Sequence, residues 1–114
     1  MHELSIAKGI VDIAEKETAK VKANKVESIE LEIGTLSGLE VDALEFVWAL
    51  AVEGTVLEHA SKKIHIIKGE AKCSDCNTFF ELNQVYDACP NCNSFLKVII
   101  KGKQLTVKTL KVSK

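Results

Sequence analysis

Arginine is absent from this 114-residue chain: all fifteen basic residues are lysines. That weighs against a nucleic-acid role, because bidentate recognition of phosphate and guanine leans on the planar guanidinium fork. Proline occurs once and glycine six times, so nothing reads as disordered or low-complexity. No apolar run approaches the length of a transmembrane helix. The opening MHELSIAKGI lacks a basic stretch followed by an apolar one, so a signal peptide is not expected. The expected location is the cytoplasm, with no membrane partner. No P-loop and no Ser/His/Asp or Cys/His nucleophile set presents itself, and the expectation is that the chain is not an enzyme.

What is present fits one small domain with a core, or a smaller core with a metal-stapled appendage: 46% of residues are hydrophobic. The formal net charge of -1 hides a gradient. Residues 1–66 carry twelve acids and seven lysines, whereas residues 98–114 carry five lysines and no acid. Over residues 3–21, Ile6, Ala7, Ile10, Val11, Ile13 and Ala14 form a helical stripe. Residues 26–33 alternate, with Ile29, Leu31 and Ile33 on one face and Ser28, Glu30 and Glu32 on the other, as in a half-buried strand. Ser37 followed by Glu40 reads as a capping box. It would open a second helix that runs to residue 52, buries Val41, Leu44, Val47, Trp48 and Ala51, and stops at Gly54. Residues 63–68 and 105–112 read as further strands. Leu105 and Val107 share one parity and Leu110 and Val112 the other, which a bulge near Lys108 would explain. The lysines of this last strand can lie beside the acidic face of the first.

The expected fold class is α+β: two helices packed on a three-stranded sheet, with an inserted four-cysteine, zinc-ribbon-like lobe. The expected domains are 1–68 completed by 100–114, and 69–99 for the lobe.

The four cysteines make two CxxC pairs, Cys73 with Cys76 and Cys89 with Cys92, with twelve residues between the pairs. Two intervening residues let a tight turn aim both sulfurs at one ion, and two facing knuckles complete a tetrahedron. Pro90, Asn77, Asn91 and Asn93 suit such turns. A closed, structural zinc site is the expected outcome. An iron site with similar knuckles or a redox dithiol would use the same residues. The lobe has too few apolar residues to fold without its metal. Residues 70–97 carry four acids and two lysines. Four thiolates around Zn²⁺ lower that formal charge by a further two, to about -4, which repels phosphates. Phe79, Phe80 and Tyr86 are expected in a mini-core rather than stacked on bases, and no nucleic-acid partner is expected.

The triplet Met1-His2-Glu3 offers a second metal chemistry. A free amine at Met1, the His2 backbone nitrogen and the His2 imidazole close adjacent five- and six-membered chelate rings, and the Glu3 amide nitrogen can fill the fourth corner. Such a nitrogen plane suits Ni²⁺ or Cu²⁺ better than Zn²⁺. On its own a histidine at position two is as readily a solvated side chain. His59 and His65 have no ligand partner at helical or knuckle spacing; the first is expected at the surface, the second as a satisfied strand residue.

MHELS at the start, LEIGTLSGLE at residues 31–40, EGT at 53–55, the CxxC…CPxC lobe and the closing GKQLTVKTLKV at 102–112 together resemble the HypA/HybF family of hydrogenase maturation factors. The match runs in order over essentially the whole chain. The resemblance implies a nickel metallochaperone for [NiFe]-hydrogenase assembly. Its nickel ligands would be His2, Met1 and Glu3, and its zinc ligands Cys73, Cys76, Cys89 and Cys92. Ni²⁺ would be the transported cargo and Zn²⁺ the structural ion. The implied partners are a nickel-binding, HypB-like GTPase and the hydrogenase large-subunit precursor, with a homodimer also compatible. Some relatives serve urease as well. The exposed faces of the two helices, in the acidic front half, are the expected docking surface for the GTPase. The alternative reading is a zinc-ribbon protein-interaction module with no transported metal.

Overall fold

The computed structural model describes residues 3–114. Among them, two helices and six strands follow in the order α1 (Glu3–Lys20), β1 (Lys25–Gly34), α2 (Val41–Val52), β2 (Ser61–Ile67), β3 (Gly69–Cys73), β4 (Phe79–Leu82), β5 (Lys97–Lys101) and β6 (Leu105–Ser113). One three-stranded sheet has the order β2-β1-β6, and a second has the order β4-β3-β5. The class is α+β.

Two compact units share the described residues: residues 3–31, 39–64 and 107–114 form the first, and residues 32–38 with 65–106 the second. In the first unit α1 packs against α2. Ala7, Ile10, Val11 and Ala14 recur at the helical period and are buried, as are Leu44, Trp48 and Val52 of α2. Thr18 continues the α1 stripe, its hydroxyl donating to the Ala14 carbonyl at 2.9 Å. Ile13, expected in that stripe, is instead 46% exposed, because it sits at the edge of the arc whose centre is Ala7 and Ala14. Ile29 and Leu31 are buried at alternating positions of β1, and Val26, of the opposite parity, is buried as well. Val41, Val47 and Ala51 of α2 are only half-buried.

The capping box does not form. Helix α2 begins one residue after Glu40, which occupies the N-cap with extended backbone and makes no side-chain cap. Gly38, at φ +80°, turns the chain between Ser37 and the helix, so Ser37 lies three residues too early. The end of α2 follows expectation: Gly54, at φ +74°, takes the left-handed position just past the C-cap Glu53. In β6, Lys108 and Thr109 are both exposed between half-buried Leu105 and Val107 on one side and Leu110 and Val112 on the other, so the parity change is present in the strand. Lys111 lies 3.9 Å from Glu27 of β1, a basic-on-acidic pair whose acid is neither Glu30 nor Glu32 of the expected face.

In the second unit β3 is central and antiparallel to both neighbours, with Ala71 opposite Phe80 on β4 and Ile99 on β5. Ala71, Cys73, Phe80, Leu82 and Cys89 form its buried cluster, with Leu36, Cys76 and Ile99 against it. Of the aromatics expected inside, only Phe80 is buried. Phe79 faces out because β4 alternates, and the Lys72 ammonium sits 5.6 Å from its ring centre; Tyr86 is exposed as well. Gly34, Gly69 and Gly102 meet backbone to backbone: a Cβ on Gly34 would strike the Gly102 carbonyl, and one on Gly102 would strike Gly69 Cα. The Gly102 backbone, at φ +114°, also requires glycine.

Candidate metal centre

Strand β3 ends at Cys73, and the chain turns back at once into β4. The turn is made by Asn77 at φ +63°, a left-handed position that asparagine tolerates. The Asn77 N–H donates to the Cys73 carbonyl at 3.0 Å, and the Cys73 N–H donates to the Thr78 carbonyl at 2.8 Å. The second pair repeats this. Asn93 stands at φ +62°, its N–H donates to the Cys89 carbonyl at 2.8 Å, and the Cys89 N–H donates to the Ser94 carbonyl at 2.9 Å. The two turns thus share a backbone pattern and a sequence pattern, Cys-x-x-Cys-Asn followed by a hydroxyl residue.

The turns bring all four sulfurs within 4.8 Å of one another, the one such group of potential metal ligands among the described residues. Cys73 Sγ is 3.6 Å from Cys92 Sγ, and Cys76 Sγ is 3.6 Å from Cys89 Sγ. All four cysteines are free thiols. A zinc–sulfur bond of about 2.3 Å gives a tetrahedron with edges of about 3.8 Å, so the donor set fits Zn²⁺ closely. Cys73 and Cys89 are buried, Cys76 half-buried and Cys92 exposed.

Polar groups outside the sulfurs shape their chemistry. The Asn91 side-chain amide donates to Cys76 Sγ at 3.5 Å, and the Asn91 backbone N–H donates to Cys89 Sγ at 3.4 Å. The Thr78 hydroxyl lies 3.2 Å from Cys76 Sγ. Asn91 first, then Thr78, lower the Cys76 thiol to about 5. At Cys92 the largest single influence, the Ser94 backbone N–H, acts downward, but the crowding of Cys73, Cys76 and Cys89 with partial desolvation pushes the thiol up to about 12. Four sulfurs this close resist becoming four thiolates without a cation between them, which is the electrostatic condition of a metal site.

The structure therefore assembles the four cysteines that the CxxC spacing singled out. Met1 and His2 lie outside the described residues. Glu3 opens α1, and its carboxylate accepts from the Glu40 N–H at 3.3 Å. His59 is exposed beside Glu58, at 3.6 Å, and His65 is half-buried in β2. Asn91, expected only as a turn residue, also contacts the sulfurs, and Thr78 is a contact not singled out from the sequence; the repeated Cys-Asn-hydroxyl ending of each pair is the signal for Thr78.

No helix among the described residues is long and apolar enough to cross a membrane. A family model described as hydrogenase/urease nickel incorporation, metallochaperone, hypA matches residues 1–112. The hydrogenase maturation factor HypA of Parabacteroides distasonis is 47% identical over 114 residues, covering 100% of this chain and 99% of that protein. The HypA of Azotobacter chroococcum is 39% identical over 112 residues, with 98% and 99% covered. The solution structure of the Ni metallochaperone HypA from Helicobacter pylori superposes with a TM-score of 0.69 at 26% identity, covering 99% of this chain and 98% of that one. A four-thiol centre, an α+β scaffold and a match along the whole chain converge: the chain belongs to the HypA family of hydrogenase/urease nickel-incorporation metallochaperones.

Proposed function

We propose that this chain binds Ni²⁺ through the Met1 amine, the His2 amide and imidazole and the Glu3 amide, and delivers it during maturation of [NiFe]-hydrogenase. Cys73, Cys76, Cys89 and Cys92 hold a structural Zn²⁺. The observation that supports the nickel reading most is that the family match begins at residue 1, so the chelating triplet falls inside it. Position helps as well. Glu3 starts α1, where backbone N–H groups have no acceptor within the helix and are free to serve a metal. A deprotonated amide carries negative charge, which the positive end of the helix dipole favours.

The chain acts by holding and passing on a metal, not by catalysis, in the cytoplasm. Residues 1–68 with 100–114 serve nickel, and residues 69–99 serve zinc. The partners are the HypB-like nickel GTPase and the hydrogenase large-subunit precursor. Docking uses the acidic helix faces, above all α2, which contains no lysine and leaves Phe46 87% and Leu50 68% exposed. Delivery is tested by mixing the chain, loaded with nickel and zinc, with the metal-free GTPase and assaying each after separation. Nickel should move to the GTPase while zinc stays. Nickel that remains on the chain in the presence of the GTPase and its nucleotide would contradict delivery to that partner.

A further inference from the structure

The two cysteine turns are tied to each other by side chains that are not ligands. Counting from the first cysteine of each turn, Asp75 and Asn91 both occupy the third position, and Thr78 and Ser94 both occupy the sixth. The bonds cross between the turns in both directions. Asn91 of the second turn donates from its amide to the Thr78 hydroxyl of the first at 3.3 Å. Ser94 of the second turn donates its hydroxyl to the Asp75 carboxylate of the first. Each link also reaches something that fixes the centre. Thr78 and Asn91 both lie against Cys76 Sγ, and Ser94 Oγ accepts from the Leu96 N–H at 3.1 Å. The Ser74 N–H, in the first turn, donates to the Leu96 carbonyl at 2.9 Å, closing that side of the loop.

We infer that Asp75 and Asn91 are positioning residues forming a reciprocal latch, which holds the two halves of the metal centre together and sets how slowly its metal is lost. The inference rests on the reading of the four cysteines as a zinc site. Each turn supplies two sulfurs, so the ion leaves only after one turn swings away from the other. The backbone bonds within each turn do not resist that motion. The two crossed side-chain links do. Groups that orient metal ligands in this way change affinity by about 10–100-fold when removed.

The test uses the zinc-loaded full chain challenged with excess chromophoric chelator, following zinc release by absorbance, with the Co²⁺-substituted spectrum as a second readout. Asn91→Ala and Asp75→Ala should each speed release about tenfold and broaden the cobalt ligand-field bands, while Asp75→Asn, which keeps an acceptor for Ser94, should stay close to wild type. Asn91→Ala combined with Thr78→Val should speed release by less than the product of the two single effects, because both break the one link they share while each also loses its own contact to Cys76 Sγ. Should Asp75→Ala fail to fold, Ser94→Ala breaks the same link and carries the same expectation. Release within twofold of wild type in both Asn91→Ala and Ser94→Ala would overturn the latch, as would fully additive effects of Asn91→Ala and Thr78→Val. A wild-type chain that takes up no zinc would overturn the zinc reading together with the latch.

Discussion

The carboxylate of Glu3, in the first turn of α1, accepts a hydrogen bond from the backbone N–H of Glu40, the N-cap of α2. A capping box uses a residue inside the helix to satisfy that N–H; here the other helix supplies the oxygen. The start of α1 is thereby fixed to the start of α2, immediately after the His2 of the proposed nickel site.

Glu3→Ala removes that acceptor while keeping the Glu3 amide. The expected cost is about 1 kcal/mol, a fall in melting temperature of roughly 4–8 °C for a domain of this size, with Glu3→Gln close to wild type. Thermal unfolding of the zinc-loaded chain measures it. Identical melting of Glu3→Ala and wild type would show that the bond contributes nothing.

The three meeting glycines give a harsher expectation. Gly34→Ala places a methyl group against the Gly102 carbonyl, backbone that cannot step aside. A loss of about 3 kcal/mol or more is expected from overpacking and strain. Chemical denaturation of Gly34→Ala against Gly9→Ala, where a Cβ meets nothing, is the comparison. Equal stability of the two variants would contradict the packing account.

Much of this was legible beforehand. The stripe through Ala7, Ile10, Val11 and Ala14, the alternation of β1 and the paired CxxC are periodic signals that depend on near neighbours in the chain, and each appears in the structure. The short strands β3, β4 and β5 were not, because four or five residues carry too little alternation, and their pairing joins positions as far apart as Ala71 and Ile99. The Glu3–Glu40 bond spans 37 positions, and the Asp75–Ser94 link spans 19. Side-chain bonds at such separations leave no local pattern to read.

The metal centre should respond to pH with a definite sign. Without metal, the Cys92 thiol lies at about 12, so at neutral pH it is protonated and must give up its proton to bind. Zinc affinity should therefore rise with pH, about tenfold per pH unit for each proton displaced. Below about 5 the Cys76 thiolate is protonated too, and the dependence should steepen. Competition against a chelator of known affinity from pH 4.5 to 8 measures the slope. A flat profile would contradict thiol ligation.

Cys73→Ala should leave three thiolates and unfold residues 70–97 locally, since that stretch has few buried apolar residues beyond Ala71, Phe80 and Leu82. Amide chemical shifts outside it should persist. Zinc near one per chain with unchanged shifts in residues 70–97 would contradict the metal's role in folding.

Phe46→Ser tests the docking face of α2. The side chain is 87% exposed, so stability should change by less than about 0.5 kcal/mol. Affinity for the GTPase should fall about tenfold or more if the ring is an interface anchor. Unchanged affinity, measured by calorimetry, would move the docking surface elsewhere.

The nickel site is tested most directly by Ni²⁺ titration calorimetry on three zinc-loaded forms: wild type with a free N-terminus, His2→Ala, and a chain extended before Met1. Removing the imidazole deletes the one strong side-chain donor and opens the six-membered chelate ring. Extension converts the amine to a non-basic amide and moves His2 inward. Nickel binding should be lost in both altered forms, with zinc content and fold unchanged because the two sites share no ligand. Wild-type nickel affinity in His2→Ala would contradict the account and shift the cargo site to His59, His65 or the cysteines.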